Sequence, residues 1–449
     1  RVVVVGAVKM DIPRDPHFYR KELELRMSCS YGPGRYDVRY EEQGLDYPYG
    51  YVRWTEQRNM EAFLQLLSQK KLDLNTLITH RFDIDDAATA YDIVMGKVQE
   101  PHIGILLHYP ANDKKFHTFT PMKSQEGGAA LRVGFIGAGS FAQNYLIPPA
   151  KQLGASLGTV VTSKGITAKN VATKFGFGKA STDSRDIIED AGIDTVFIAT
   201  QHDTHAAYTL ESLKAGKRVF VEKPLAISVE GLEEIRTFYE TKGGFLMVGF
   251  NRRFSPVAQA LKKEFEGVAD PLVINYRVNA GFIPKEHWTQ QADTGGGRIV
   301  GEVCHFIDLL QFFTGSLPVR VFAESIGSDN DRVKNDDNVL ITIRFQNGSV
   351  GTITYTAGGD KAMAKERVEL FGGGRAGIIH DFRSGEIFYN NKAKTLKLDG
   401  KGHRQEVEAF LNAAKSGGPS PISFESIYYT TLASFKILDS LSSGLPQAL

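Results

Sequence analysis

From residue 131 to about 250, short apolar runs alternate with longer amphipathic stretches. The runs at 131–137, 157–162, 193–199, 217–221 and 245–249 are dense in Val, Ile, Leu and Phe and predict strands, with helical segments between them. Strands this continuously apolar are buried on both faces, so the alternation predicts a parallel sheet covered by helices on each side. Beyond about 255 the strands lengthen and their apolar and polar positions alternate, at 271–281, 318–327, 337–346, 349–357 and 366–371. One buried and one solvated face point to an antiparallel sheet. A helix over 302–313 interrupts these strands, and a final helical region, 403–443, is expected to pack back across both parts.

The first 110 residues mix the two periods. Lys21–Met27 alternates like a strand, and Met60, Phe63, Leu64 and Leu67 recur at helical spacing within 57–70. Asp85 or Asp86 is placed to cap a helix through Ala87, Tyr91 and Val94, and His102–Tyr109 reads as another strand. The polar stretch 111–130, which ends Gln125-Glu126-Gly127-Gly128-Ala129-Ala130, reads as an interdomain linker. The expected order is an α/β segment (1–110), the linker (111–130), an α/β domain (131–250) and an α+β domain with a largely antiparallel open sheet (251–449).

Composition changes the picture of partners more than of fold. The 449 residues are 42% hydrophobic and 23% charged, with a formal net charge of +1. That balance argues against nucleic acid or an anionic membrane as the main partner. No apolar run approaches the roughly 18 residues of a membrane span. The two cysteines, Cys29 and Cys304, are isolated, so neither a disulfide framework nor a metal site is expected and a reducing cytoplasm fits. The chain opens with Arg1 and runs directly into a strand, as expected of a piece of a longer protein.

Candidate chemistry begins where the first strand of the parallel sheet ends, in Gly137-Ala138-Gly139-Ser140-Phe141-Ala142. Gly137 allows the tight turn, Gly139 lets backbone approach a pyrophosphate, and Ala142 lets helix pack close to strand. The helix start at Ser140 and Phe141 offers free N–H groups and the positive dipole end to the anion. Glycines after a strand also occur for steric reasons alone. The flanking strand and helix favour a Rossmann-type dinucleotide site. The second strand usually ends in an acid that binds the ribose 2′-OH. Here it ends Thr162-Ser163-Lys164, and no Asp or Glu occurs between Val133 and Thr182. Ser163 and Lys164 would accept a 2′-phosphate, so the cofactor expected is NAD(P), with a slight lean to NADP. The same lysines fit an ordinary solvated face. Two later strands deliver Thr200-Gln201-His202-Asp203-Thr204-His205 and Glu222-Lys223-Pro224 to the sheet edge where ligands bind in open α/β folds. A lysine carried there by a buried strand suits acid/base work; an ion pair with Glu222 is the bland alternative.

With these motifs, Gly249-Phe250-Asn251-Arg252-Arg253-Phe254 and Gly295-Gly296-Gly297 followed by His305-x-x-Asp308, residues 131–449 resemble the Gfo/Idh/MocA family. The resemblance implies NAD(P)-dependent hydride transfer to or from a sugar, nucleotide-sugar or cyclitol hydroxyl or ketone. It also implies a homodimer or homotetramer built through the open sheet. Cofactor contacts are then expected from Gly137, Gly139, Ser140, Phe141, Ala142, Ser163, Lys164, Thr200, His202, His205, Glu222 and Lys223. Lys223 orients or protonates the reacting oxygen and His305 acts as general acid/base. Many relatives carry Asp four residues before that histidine, where this chain has Gly301. Glu302, three residues before His305, is expected to replace it, and Asp308 is a second possible partner. The relatives' Thr-Pro-Asn is altered to Thr200-Gln201-His202, which implies a pocket of its own. Asn251, Arg252, Arg253, Lys285, Trp288 and Arg298 are further pocket candidates, Trp288 by stacking on a sugar and the arginines by bidentate contacts. Two other readings stay open: transient use of the cofactor in glycoside cleavage or epimerisation, and a non-catalytic sensor.

Residues 1–110 resemble the C-terminal third of a zinc-type medium-chain alcohol dehydrogenase through Arg1–Val8, Lys21–Ser30, the helix through Leu72, Leu77–Phe82 and Ala87–Tyr91. The segment has neither that family's glycine turn nor its zinc cysteines, so a packing or oligomer role is expected of it. Two-module oxidoreductases of this kind are associated with cell-surface polysaccharide metabolism.

Overall fold

Local pattern is enough to form most elements; the sheets decide what they bury. The computed structural model describes residues 2–5, 10–28, 30–41, 44–109, 118–119, 131–330 and 333–449. Cys29 and nearly all of the expected linker lie outside them. The chain divides into two compact units, Arg1–Lys114 and Lys115–Leu449.

In the first unit Val2–Val4 pairs in parallel with Leu25–Met27, and Ile78–Asp83 with Gly104–His108. The helix Glu56–Ser68 is capped by Thr55, whose side chain accepts from the Arg58 N–H. Its apolar positions recur as expected, yet no residue of it is buried. The helix Ala87–Val94 buries Ala90 and Ile93 but receives no side-chain cap from Asp86.

The second unit carries the parallel sheet. Its strands run, edge to edge, Phe245–Val248, Arg218–Val221, Thr195–Ile198, Arg132–Ile136, Ser156–Val161, Lys179–Ser181 and Thr118–Phe119, all parallel except the last. Phe135 stacks on Phe197 at 4.6 Å and meets Phe177 edge-on at 5.7 Å. Each fully buried phenyl of this kind contributes about 1.5–3 kcal/mol. The second sheet has nine strands among the described residues, in the order Lys392–Leu396, Ser384–Tyr389, Arg375–His380, Glu366–Gly372, Val273–Asn279, Val350–Thr356, Asn338–Phe345, Pro318–Ser325 and Gln447–Ala448. It is antiparallel except where Val273–Asn279 runs parallel to Val350–Thr356. Three of its strands, between 375 and 396, were not expected from the apolar pattern.

The final helical region is two helices, His403–Ser416 and Phe424–Ser443. The first sends Phe410 against Phe197 at 5.3 Å. The second places Phe435 in the core of the parallel sheet and Ala433 and Ile437 in the core of the antiparallel one. It therefore ties the two sheets together, as its position in the chain suggested. Among the described residues, no helix is long and apolar enough to cross a membrane.

Candidate active site

Arg132–Ile136 is flanked by Ser156–Val161 on one side and Thr195–Ile198 on the other, so the chain reverses direction of travel across the sheet at this strand. Crevices at such a reversal, beyond the carboxyl ends of the strands, are where α/β sheets hold ligands. Gly137 (φ +89°) sits there so close to the next strand that a Cβ would lie 2.4 Å from the Ala199 carbonyl oxygen. Only glycine fits this gap. At Gly139 a Cβ would meet no atom within 4 Å, so its backbone borders open space at the helix start. Ser140 and Phe141 are exposed and Ala142 is buried. This bare turn fits a dinucleotide pyrophosphate. Ser163 and Lys164, after the second strand, are both exposed.

Beside the turn lies a cavity of about 340 Å³, lined on the sheet side by Phe141, His202, Lys223, Asn251 and Arg252. Its other wall is Ile283, Trp288, Thr289, Gly297, Arg298, Gly301, Glu302 and His305, with Lys401 and His403 closing one end. Lys223, His305, Glu302, His202, Asn251, Arg252, Trp288 and Arg298 thus come together although they span more than a hundred residues of chain.

Lys223 does not pair with Glu222. Its Nζ donates to the Gly301 carbonyl at 2.9 Å, which aims it across the cavity. Glu222 is buried with Oε1 lacking a hydrogen-bond partner, and burial, only partly offset by Lys223, pushes its carboxyl up to about 7. His305 opens the helix Cys304–Thr314, edge-on to Phe250, and its Nδ1 is buried without a partner. Burial, reinforced by Arg252 and Lys223, lowers its pKa well below the ordinary imidazole range, so the ring is neutral.

His202 fills the space that a side chain at residue 301 would need: a Cβ on Gly301 would lie 3.1 Å from its Cε1. Its Nδ1 lies 2.8 Å from the Gly295 carbonyl, so that nitrogen carries the proton and Nε2 is left as an acceptor. His202 and a side chain at 301 therefore compete for the same space.

Several expected contacts resolve differently. Glu302 does not reach His305. Its carboxylate is held by Tyr355 (2.5 Å), Arg298 (2.9 Å) and Lys365 (2.8 Å). Burial raises this carboxyl, but Lys365 and Arg298 outweigh burial and hold it at about 2. Arg253 and Asp308 pair with each other, Nε to Oδ2 at 2.9 Å, and neither lines the cavity. Asp308 is fully buried, its oxygens accept from Arg253 and it stays outside the cavity lining, so it does not serve His305 or face the cavity. His205 is also fully buried, spanning the Pro224 carbonyl (2.8 Å) and the Thr200 carbonyl (3.3 Å); it braces the two loops from beneath. Lys285 is exposed and outside the cavity.

The apolar pattern gave no sign of Lys401, His403, Tyr355, Lys365 or Glu366. Glu366 accepts from Arg252 (2.7 and 3.1 Å), Tyr276 (2.6 Å) and Lys401 (2.7 Å). The one local clue lies at Gly402, where a Cβ would sit 2.2 Å from the Asn251 carbonyl oxygen. That close approach, with Asn251 Nδ2 donating to the Lys401 carbonyl at 2.8 Å, delivers Lys401 and His403 to the site.

Residues 131–250 match the oxidoreductase family with an NAD-binding Rossmann fold, and residues 269–374 match the GFO/IDH/MocA C-terminal domain. Myo-inositol 2-dehydrogenase of Thermotoga maritima is 25% identical over 66% of this chain and 91% of its own length. Inositol 2-dehydrogenase of Acidothermus cellulolyticus is 31% identical over 48% of this chain and 63% of its own. The solved structure of a levoglucosan dehydrogenase with NADH and levoglucosan superposes with a TM-score of 0.64 at 23% identity, over 71% of this chain and 99% of that one, a likeness of fold. Neither domain match reaches the residues before 131. With both of its domains present in order, the chain from residue 131 onward belongs to the Gfo/Idh/MocA family of NAD-binding oxidoreductases.

Proposed function

We propose that this chain transfers hydride to or from a hydroxyl or ketone of a sugar, nucleotide sugar or cyclitol. The observation that carries the reading is that Lys223 and His305 line one cavity that begins at Phe141 of the glycine turn. A nicotinamide bound there supplies the hydride acceptor or donor. The protein's part is proton handling and positioning. His305, neutral and lining the cavity, takes the hydroxyl proton in oxidation and returns it in reduction. Lys223, pinned by the Gly301 carbonyl, donates to the same oxygen. Trp288, edge-on to His202 at 4.8 Å, offers an apolar face to the sugar. Glu302 acts at one remove, by fixing Arg298 and Tyr355.

The acid-free second strand and the exposed Ser163 and Lys164 support NADP over NAD. Turnover of neutral sugars, cyclitols, sugar acids, sugar phosphates and nucleotide sugars with each cofactor tests both parts. The expected result is reduced cofactor formed from at least one compound, faster with NADP. Tighter NAD than NADP binding would overturn the preference, and no turnover of any compound would overturn the activity. Gly139→Val gives a separate check on the turn. Its side chain finds room in the protein but enters the open space over the turn, so NADPH affinity should fall by about tenfold or more with unfolding unchanged.

The exposed Val273, Leu340 and Phe371 on the nine-stranded sheet support the homodimer or homotetramer expected of the chain. For residues 1–110 the supported reading stays a dehydrogenase-like fragment, on its two parallel strand pairs and the helices between them.

A further inference from the structure

The charges around the cavity do not balance. Glu366 faces two cations, Arg252 and Lys401, and Glu302 faces two more, Arg298 and Lys365. Lys223 has the neutral Gly301 carbonyl for its partner. Counted by ion pairs alone, each cluster holds one more cation than carboxylate; Asp337 also acts on Arg298. Asp381 lies 3.8 Å from Lys401, but it is shared with Arg383 at 3.7 Å. The surplus is also accessible: the side chains of Arg252 and Arg298 are 7% and 3% exposed, whereas those of Lys365 and Lys401 are 37% and 33% exposed.

Lys401 and Lys365 face two separate spaces whose walls are linked by ion pairs. Lys401 lines the cavity. Lys365 lines a cleft of about 710 Å³, with Lys361 and Arg383, and its 2.8 Å ion pair to Glu302 joins the walls of the two. Burial, helped by Lys223, keeps His202 uncharged at about 3, and burial, helped by Arg252 and Lys401, keeps His403 uncharged at about 4. A neutral sugar would leave the surplus unanswered, whereas an anion placed at the two exposed ammonium groups would satisfy it without displacing either buried pair.

We propose that the substrate carries an anionic group, a carboxylate or phosphoryl, bound between Lys365 and Lys401, with its sugar or cyclitol ring in the cavity and any further substituent in the cleft. This rests on the oxidoreductase reading of the same cavity.

The test compares matched pairs at low ionic strength with the full chain and each cofactor: glucose against glucuronate, glucose 6-phosphate and UDP-glucose, and myo-inositol against its 1-phosphate. At least one charged member should exceed its neutral parent by about tenfold or more in kcat/KM, the scale of one hydrogen bond to a charged group. The glucuronate and phosphoryl arms tell the two anion sources apart. Lys365→Met and Lys401→Met should each reduce that ratio by about fivefold or more, as should added salt. A folding defect would lower both members of a pair and leave the ratio intact, so the ratio reads the contact itself. Neutral parents used as well as their charged partners, or a ratio intact in both variants, would overturn the anionic substrate and leave the oxidoreductase reading standing. No turnover of any compound would overturn both.

Discussion

His305→Ala should lower kcat by about 10²–10⁴-fold with either cofactor, the usual scale for a positioned acid/base. The side chain is carried on the first turn of a buried helix, which fixes its place, and its Nδ1 finds no protein partner. The ring also lines the cavity beside Lys223. The sign of the pH dependence follows from its environment. Burial and the nearby Arg252 and Lys223 depress the pKa, so the proton-accepting form persists as pH falls through the ordinary imidazole value near 6.5. The acid limb of kcat/KM for oxidation should therefore lie well below pH 6.5, and it should vanish in His305→Ala. Activity unchanged in the variant, or an acid limb at an ordinary imidazole pKa, would remove His305 from the chemistry. Cofactor affinity, read by quenching on NADPH binding, should change little, which separates loss of proton transfer from loss of the site.

Glu366→Ala should cost the second unit about 3–5 kcal/mol of stability, the range for removing one partner of a buried ion pair. Glu366 is fully buried and is the common acceptor of Arg252, Tyr276 and Lys401. Burial raises its carboxyl, but Arg252 and Lys401 outweigh that and hold it far below the usual carboxylate range, so it is ionised at any working pH. Without it, the Arg252 guanidinium is left buried beside a tyrosine hydroxyl and a second cation. Glu366→Gln keeps an acceptor and should cost less. The exposed pair Lys436–Asp439 provides the contrast: Lys436→Ala should change stability by less than about 1 kcal/mol. Denaturant unfolding of the three variants measures the order, and Glu366→Ala no worse than Lys436→Ala would show that the cluster is not a structural hub. Arg252 and Lys401 both line the cavity, so the stable fraction of Glu366→Ala should also bind substrate poorly.

Much of the second unit is legible along the chain because its determinants are local. Continuous apolar runs specify strands buried on both faces, and alternating runs specify strands buried on one. The glycine turn announces itself because a positive φ at Gly137 and bare backbone at Gly139 leave few residue choices. The strands between 375 and 396 are only five or six residues long, too short for an alternating pattern to stand out. Their turns were nonetheless readable: Gly373-Gly374 and Asn390-Asn391 are two-residue loops with positive φ at both positions, the geometry that tight hairpins demand.

The sequence by itself determined the order of the two sheets, the turn that faces a cofactor, and the presence of Lys223 and His305 on elements that end at the same crevice. Only the tertiary structure decided which charges face each other. Arg252 finds Glu366 across 114 residues, Arg253 takes Asp308 away from His305 across 55, and Lys365 reaches Glu302 across 63. The physical reason is that a charge has no period. Hydrophobic burial leaves a repeat that can be read along the chain, whereas an ion pair depends on sheet register and on loop approaches such as Gly402 on Asn251, which bring distant residues within 3 Å without marking either one in advance.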